Sequence, residues 1–287
     1  MMLMVKSKLS LMYSFVISVT VLLTALCGNA DTQIRGATLL NGSAIEGGLM
    51  IARAAPSSRI TLDGTQIPVT ADGLFVIGFH RDSDLPVTID IINADGTSQL
   101  TTLTPKQRNY NVQHIDGLAQ NMVTPPDSVI TQIKSDQMAV AAARQIPAPA
   151  GNFWQGLDWP VIGRVSGVFG SQRILNGQPR QPHYGVDIAV PKGTHVRAPA
   201  SGLVTLVKDL YFSGWTVIIN HGLGLNSTFL HLDTTTVNEG NTVLRGEIIG
   251  TVGSTGRSTG PHLDWRMDWQ GRRIDASLVA GPMPSAG

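Results

Sequence analysis

Cysteine is almost absent from this 287-residue sequence: the single one, Cys27, lies just after the apolar N-terminal stretch. A chain cut after Ala30 would carry none, which excludes disulfides and thiol catalysis and leaves the fold to packing alone. Charge is sparse at 14% and nearly balanced at +1; removing Lys6 and Lys8, the only charged residues before residue 31, turns that into −1. No basic footprint for nucleic acid remains. Also missing are a His-Glu-x-x-His helix motif and a Gly-x-Ser-x-Gly elbow. Beyond residue 150 the only glutamates are Glu239 and Glu247, neither near a histidine motif. This argues against a helix-borne zinc site with a glutamate base, and a serine triad has no support. The run 253–260 lacks the lysine and following helix of a phosphate loop and reads as a turn. No long helical period appears in the C-terminal half, which argues against a doubly wound nucleotide fold.

The one long apolar run, 9–26, follows Lys6 and Lys8 and ends in Gly28-Asn-Ala30, the pattern of a secretory signal over residues 1–30. An uncleaved membrane anchor is the alternative, because the run is near the length that spans a bilayer. A lipoprotein fits less well, since bulky Leu26 precedes Cys27. The remaining length, with 42% hydrophobic residues overall, suits two modest globular domains. Residues 31–122 alternate short apolar and polar runs punctuated by Asp63-Gly64, Asp72-Gly73 and Asp95-Gly96, which predicts a small β-sandwich. His80 and His114 in this half fit no ligand pattern. Residues 123–150 predict a short helix capped by Asp127, with Ile130, Ile133 and Met138 near one face and Pro147 ending it, then a Pro-Ala linker. Residues 151–287 hold all five tryptophans and five of the seven histidines. They predict a second β domain with strands near 202–208, 215–220, 226–231 and 247–252.

Two segments of that domain carry metal-binding side chains: His183-Tyr-Gly-Val-Asp187, and Gly260-Pro-His262-Leu-Asp264-Trp265. A catalytic zinc takes three nitrogen or oxygen ligands and leaves a position open, and His183, Asp187 and Asp264 could supply them. On a strand His262 and Asp264 share one face, while Leu263 and Trp265 point to the core. His195, His221, Asp233, Asp268 and Asp275 read as structural, solvated or turn residues. Arg173 and Asn176, in the polar stretch before His183, are candidates to line a substrate groove, and residues 171–182 could form a lid.

Taken in order, His183-x-x-x-Asp187, Phe229-Leu-His231-Leu232 and Ser258-Thr-Gly-Pro-His262-Leu-Asp264 resemble the lysostaphin-type, or LytM-like, zinc metallopeptidases of bacterial cell walls, over residues 161–276. The resemblance implies a mostly β protein whose C-terminal antiparallel domain has the lysostaphin/LytM (duplicated hybrid motif) fold. It implies Zn2+ held by His183, Asp187 and the residue at position 264, usually histidine in the family, with His231 and His262 flanking as base and transition-state stabiliser. It further implies an exported, periplasmic or envelope-associated endopeptidase acting on the peptides of peptidoglycan, in contact with membrane only if the N-terminal segment is uncleaved. The alternative is a non-catalytic LytM-like protein that binds wall and regulates another wall hydrolase. Aspartate at 264 is itself a possible ligand, but a second carboxylate cancels more of the ion's charge and should weaken it as a Lewis acid.

Overall fold

The computed structural model describes residues 33–117 and 120–285. The expected signal segment, 1–30, lies outside them. Among the described residues no helix is long and apolar enough to cross a membrane. The chain is mostly β. Its first strands are β1 (Ala37–Asn41), β2 (Leu49–Ala54), β3 (Arg59–Leu62), β4 (Thr65–Gln66), β5 (Leu74–Gly78), β6 (Val87–Ile92), β7 (Ser98–Leu103) and β8 (Val112–Ile115). β1, β2 and β5 form one antiparallel sheet and β4, β3, β6 and β7 a second. β5 is buried along its whole length, whereas β6 and β7 alternate, as expected of strands with one wet face.

β8 leaves this arrangement. It runs parallel to β10 (Gln172–Leu175), which also pairs with β11 (Gln178–Pro179). The stretch 171–182, read from sequence as a polar loop, is therefore largely a hairpin sewn to a strand from the N-terminal half. Its polar side chains hide the pairing because much of their surface stays wet.

Helix α1 (Gln120–Val123) precedes α2 (Asp127–Ala143). Pro126, not Asp127, takes the cap position of α2, and Asp127 falls in its first turn, where a carboxylate meets the positive helix end. Met138 is exposed rather than on the packed face, which carries Ile133, Asp136 and Ala143. Asp136 accepts the Tyr211 backbone N–H at 2.8 Å, and that bond helps set the helix rotation. Ala139, Val140 and Ala143 pack on Leu206, Leu210 and Ile218.

The remaining strands are β9 (Arg164–Gly167), β12 (Val186–Ala189), β13 (His195–Arg197), β14 (Gly202–Leu210), β15 (Gly214–Asn220), β16 (Leu225–Thr235), β17 (Thr242–Val243), β18 (Ile248–Val252), β19 (Leu263–Trp269) and β20 (Arg272–Ile274). They form an antiparallel sheet with the path β17-β14-β15-β16-β19-β12-β9; β18 joins β16 to β13 and β20 flanks β19. α3 (Ala276–Ala280) closes the described chain. Phe229, Leu263, Trp265 and Trp269 are wholly buried in a core continuous with Phe75 and Ile77 of β5. Asp268 and Asp275, read as wet carboxylates, are buried as well. Asp268 pairs with Arg144 at 3.1 Å, and Asp275 caps α3 and pairs with Arg108 at 2.9 Å.

Candidate metal and hydrolytic site

The central strands bring the two sequence motifs together by register. Asp187 on β12 lies directly opposite Asp264 on β19 and opposite Gly167 on β9, while Asp264 faces Leu230 on β16. Two carboxylates placed opposite each other repel, so the row demands positive charge. Alternation along β19 buries Leu263 and Trp265 on one side and turns Asp264 and Arg266 to the other.

Two glycines make room. A Cβ on Gly167 would stand 2.2 Å from Asp187 Oδ2, and one on Gly185 would stand 2.1 Å from Asp264 Oδ1. His183 is held by its backbone, donating to Ser171 O at 2.8 Å and accepting from Gly170 N at 2.7 Å. Its Nε2 lies 3.0 Å from Asp187 Oδ1. One ligand atom each from His183, Asp187 and Asp264 lies within 4.8 Å of the others.

Both ring nitrogens of His183 and Oδ1 of Asp187 are buried without a hydrogen bond. Buried polar atoms seldom lack partners, and these orphans converge where a cation would satisfy them. Nitrogen and carboxylate donors suit zinc, and tetrahedral ligands at its bond lengths stand roughly 3.5 Å apart, so the set fits with modest closure.

Two arginines supply the demanded charge. Arg266 binds Asp264 through Nε, at 3.1 and 3.0 Å to its two oxygens, and through Nη2 at 2.6 Å to Oδ2. Burial opposes ionisation of Asp264, but Arg266, helped by His183 and His231, more than offsets it and holds the carboxyl well below its usual range. Arg173 Nη2 lies 3.1 Å from Asp187 Oδ2. Arg173 is thus at the site, whereas Asn176 is not. It sits at the tip of the β10–β11 turn with φ 46°, its N–H donating to Ile115 O, and it does not line the groove. Sequence reading missed Arg266, although the alternation that places His262 and Asp264 on one face reaches it two residues later.

His231 and His262 meet beside this cluster, ring centroids 4.8 Å apart. His231 interrupts the pairing of β16 with β15 and adopts φ 62°, a left-handed backbone that costs a non-glycine residue about 1–3 kcal/mol. The bulge turns its side chain into the groove. His231 Nδ1 donates to Thr255 O at 2.7 Å, and His262 Nδ1 to Gly260 O at 2.8 Å. With Nδ1 donating, the tautomer each ring takes when neutral leaves Nε2 as the acceptor. Burial depresses the His231 pKa despite the opposing pull of Asp264, so the ring is neutral at neutral pH. His262 Nε2 is 3.9 Å from Asp187 Oδ1.

The side chains of His183, Asp187, Asp264, Arg173, Arg266, His231 and His262 open on one groove of about 750 Å³, which Gln113 and Ile115 of β8 and Val123 also line. The other histidines stay out. His195 is exposed, and His221 is buried between Ser201 O and Ser227 Oγ.

Parts of this chain are similar to known proteins. The DD-carboxypeptidase/endopeptidase Mpg of Neisseria meningitidis serogroup B is 40% identical over 124 residues, which is 43% of this chain and 29% of that protein. The peptidoglycan DD-endopeptidase ShyA of Vibrio cholerae serotype O1 is 37% identical over the same shares. The chain thus spans less than a third of the length of these relatives. A Pseudomonas aeruginosa crystal structure described as a peptidase M23 superposes with a TM-score of 0.66 at 28% identity, covering 84% of this chain and 97% of that one. Residues 181–276, which carry His183, Asp187, His231, His262 and Asp264, match the model of peptidase family M23.

Proposed function

We propose that this protein is a zinc-dependent endopeptidase that cuts peptide bonds in bacterial peptidoglycan, exported to the periplasm or cell envelope. The observation that carries the reading is the convergence of His183, Asp187 and Asp264 on one point, with the His231–His262 pair in the same groove. The names of the Neisseria and Vibrio relatives support the substrate class. When bound, zinc would polarise the scissile carbonyl and acidify a water molecule.

The chain's own residues do the rest. His183, Asp187 and Asp264 hold the cation, and Arg173 and Arg266 orient the two carboxylates. The Nε2 atoms of His231 and His262 divide two tasks, taking the proton of the attacking water and stabilising the charge that develops on the carbonyl oxygen. The bonds to Thr255 O and Gly260 O fix the tautomer each task needs. Metal analysis together with digestion of purified sacculi tests the reading. About one zinc per chain and release of soluble peptide fragments are expected, both lost in His183→Ala; intact sacculi at full zinc loading would sink it.

One observation favours a second reading. Both oxygens of Asp264 already accept from Arg266. If that pair holds Asp264 away from metal, the chain is a wall-binding regulator of another hydrolase. Such a protein takes up no zinc even after reloading, and it stimulates a partner enzyme on the same sacculi.

A further inference from the structure

The turn at 253–260 lies between His231 and His262 in the chain and supplies the hydrogen-bond acceptor of each. His231 Nδ1 donates to Thr255 O at 2.7 Å and His262 Nδ1 to Gly260 O at 2.8 Å. The last torsion of an imidazole is broad and roughly two-fold, so the partner at Nδ1 decides where Nε2 points. Both partners are main-chain carbonyls of one stretch that is largely exposed or half-buried. The aim of the two rings is therefore only as firm as the anchoring of this turn.

Two hydroxyls anchor it. Thr255 Oγ1 accepts the Trp215 N–H at 3.0 Å and donates to Leu232 O at 2.8 Å. Trp215 on β15 and Leu232 on β16 are register partners at the irregularity that carries His231, so the hydroxyl bridges ladder groups that the bulge sets apart. The neighbouring turn makes space for it: Gly214 has φ 61°, and a Cβ there would stand 2.1 Å from Thr255 Oγ1 and 2.4 Å from the Thr255 carbonyl carbon.

Ser258 holds the other end. Its Oγ donates to Gly260 O at 2.8 Å, accepts from Ser254 Oγ at 2.9 Å and from the Gly260 N–H at 3.3 Å, and lies 3.3 Å from His262 Nδ1. The carbonyl that receives the His262 ring is thus gripped by a hydroxyl that touches the ring as well.

We propose that Thr255 and Ser258 are positioning residues of the hydrolytic site, Thr255 aiming His231 and Ser258 aiming His262 through the carbonyls of this turn. Neither belongs to the set His183, Asp187 and Asp264. The work that the two rings do rests on the peptidase reading, but the aim of each ring is observable without turnover.

Nitrogen NMR of the full chain with isotope-labelled histidine, assigned with His231→Ala and His262→Ala, reports which ring nitrogen carries the proton. In alkaline buffer, where ordinary imidazoles are neutral, both rings should be protonated at Nδ1. Thr255→Val removes one hydroxyl at nearly constant shape and should mix the tautomers of His231 while leaving His262 as it was; Ser258→Ala should do the converse. With soluble cross-linked muropeptides as substrate, kcat should fall about 10- to 100-fold in each, the scale of a misaimed group, while KM and zinc content hold. Thr255→Ser and Ser258→Thr keep the hydroxyl and should restore both tautomer and rate. Circular dichroism identifies the variants that fold, and Ser258→Ala, at a half-buried turn position, keeps the test open should Thr255→Val not fold. An unchanged tautomer at either ring in its own folded variant, or equal disturbance of both rings by each variant, overturns the proposal, as does zinc lost in step with the rate. Ring-specific tautomer changes in a protein whose parent cuts neither muropeptides nor sacculi overturn the peptidase reading and leave the positioning role standing. Cleavage at the parental rate in both folded variants does the reverse.

Discussion

Arg266 grips Asp264 from two positions along the same strand, touching both carboxylate oxygens of a residue only 2% exposed. Aspartate in a position where histidine is usual adds a negative charge to the cluster, which on sequence alone should weaken a bound cation. The tertiary structure restores that charge from the same face of β19. A fork held this way also fixes which way the carboxylate points, so Arg266 acts on the site through Asp264 as a positioning residue.

Arg266→Gln should therefore uncover a buried carboxylate opposite Asp187. Breaking a buried pair costs about 3–5 kcal/mol, and somewhat less here because Arg266 keeps part of its surface in water. Thermal denaturation should show a larger loss in chelator than in zinc, because a cation replaces the missing charge. An identical drop under both conditions would mean that Asp264 does not face the metal position.

Gly185→Ala should damage the same pair by contact. The new Cβ would press on Asp264 Oδ1 and lie 2.7 Å from Arg266 Cγ. Overpacking of this kind costs about 1–3 kcal/mol, and zinc content should fall with stability. Gly260→Ala is the control, since nothing lies within 4 Å of its added Cβ. If the two variants melt together with equal zinc, the cradle around Asp264 is looser than the contact distances require.

His231→Ala and His262→Ala should separate chemistry from metal binding. Neither ring belongs to the set His183, Asp187 and Asp264, so zinc content should hold while cleavage of sacculi falls about 100- to 10,000-fold. His231→Ala should in addition relieve the left-handed backbone only in part, because alanine is strained there too. Zinc lost in step with activity would make either histidine a ligand instead.

Stability should fall in mild acid through His221. Its ring donates from Nδ1 to Ser201 O at 3.0 Å and accepts at Nε2 from Ser227 Oγ at 2.9 Å. Burial lowers its pKa from 6.5 to about 4, against the opposing effect of the Ser201 bond. The folded ring stays neutral while the unfolded one takes a proton, so this contribution is full above pH 6.5 and drains away as pH falls toward 4. At full development the loss is about 3 kcal/mol. Denaturant midpoints measured across this range should slope for the parent and flatten for His221→Leu; parallel slopes would show that other groups control the acid limb.

Much of the fold was legible locally. The continuous apolar run at 74–79, the alternation in 86–92, and the β-branched runs at 202–208 and 215–220 mark strands because side-chain period and turn residues are local properties. The spacing His183-x-x-x-Asp187 and the i, i+2 pair His262 and Asp264 likewise mark candidate site residues within short segments. Met138 was misjudged for the complementary reason. A weakly amphipathic helix takes its rotation from what it meets, and here it meets the backbone N–H of Tyr211.

The sequence by itself determined the residue types of the site, their order, and the strands that carry them, since each depends on chemistry within a few neighbours. Only the tertiary structure decided that Asp187 faces Asp264 across β12 and β19, that β8 pairs with β10 and lines the groove, and that Arg173, Arg180, Arg257 and Arg266 crowd around it. Strand register and charge clustering join residues far apart in the chain, and they are set by how whole sheets pack.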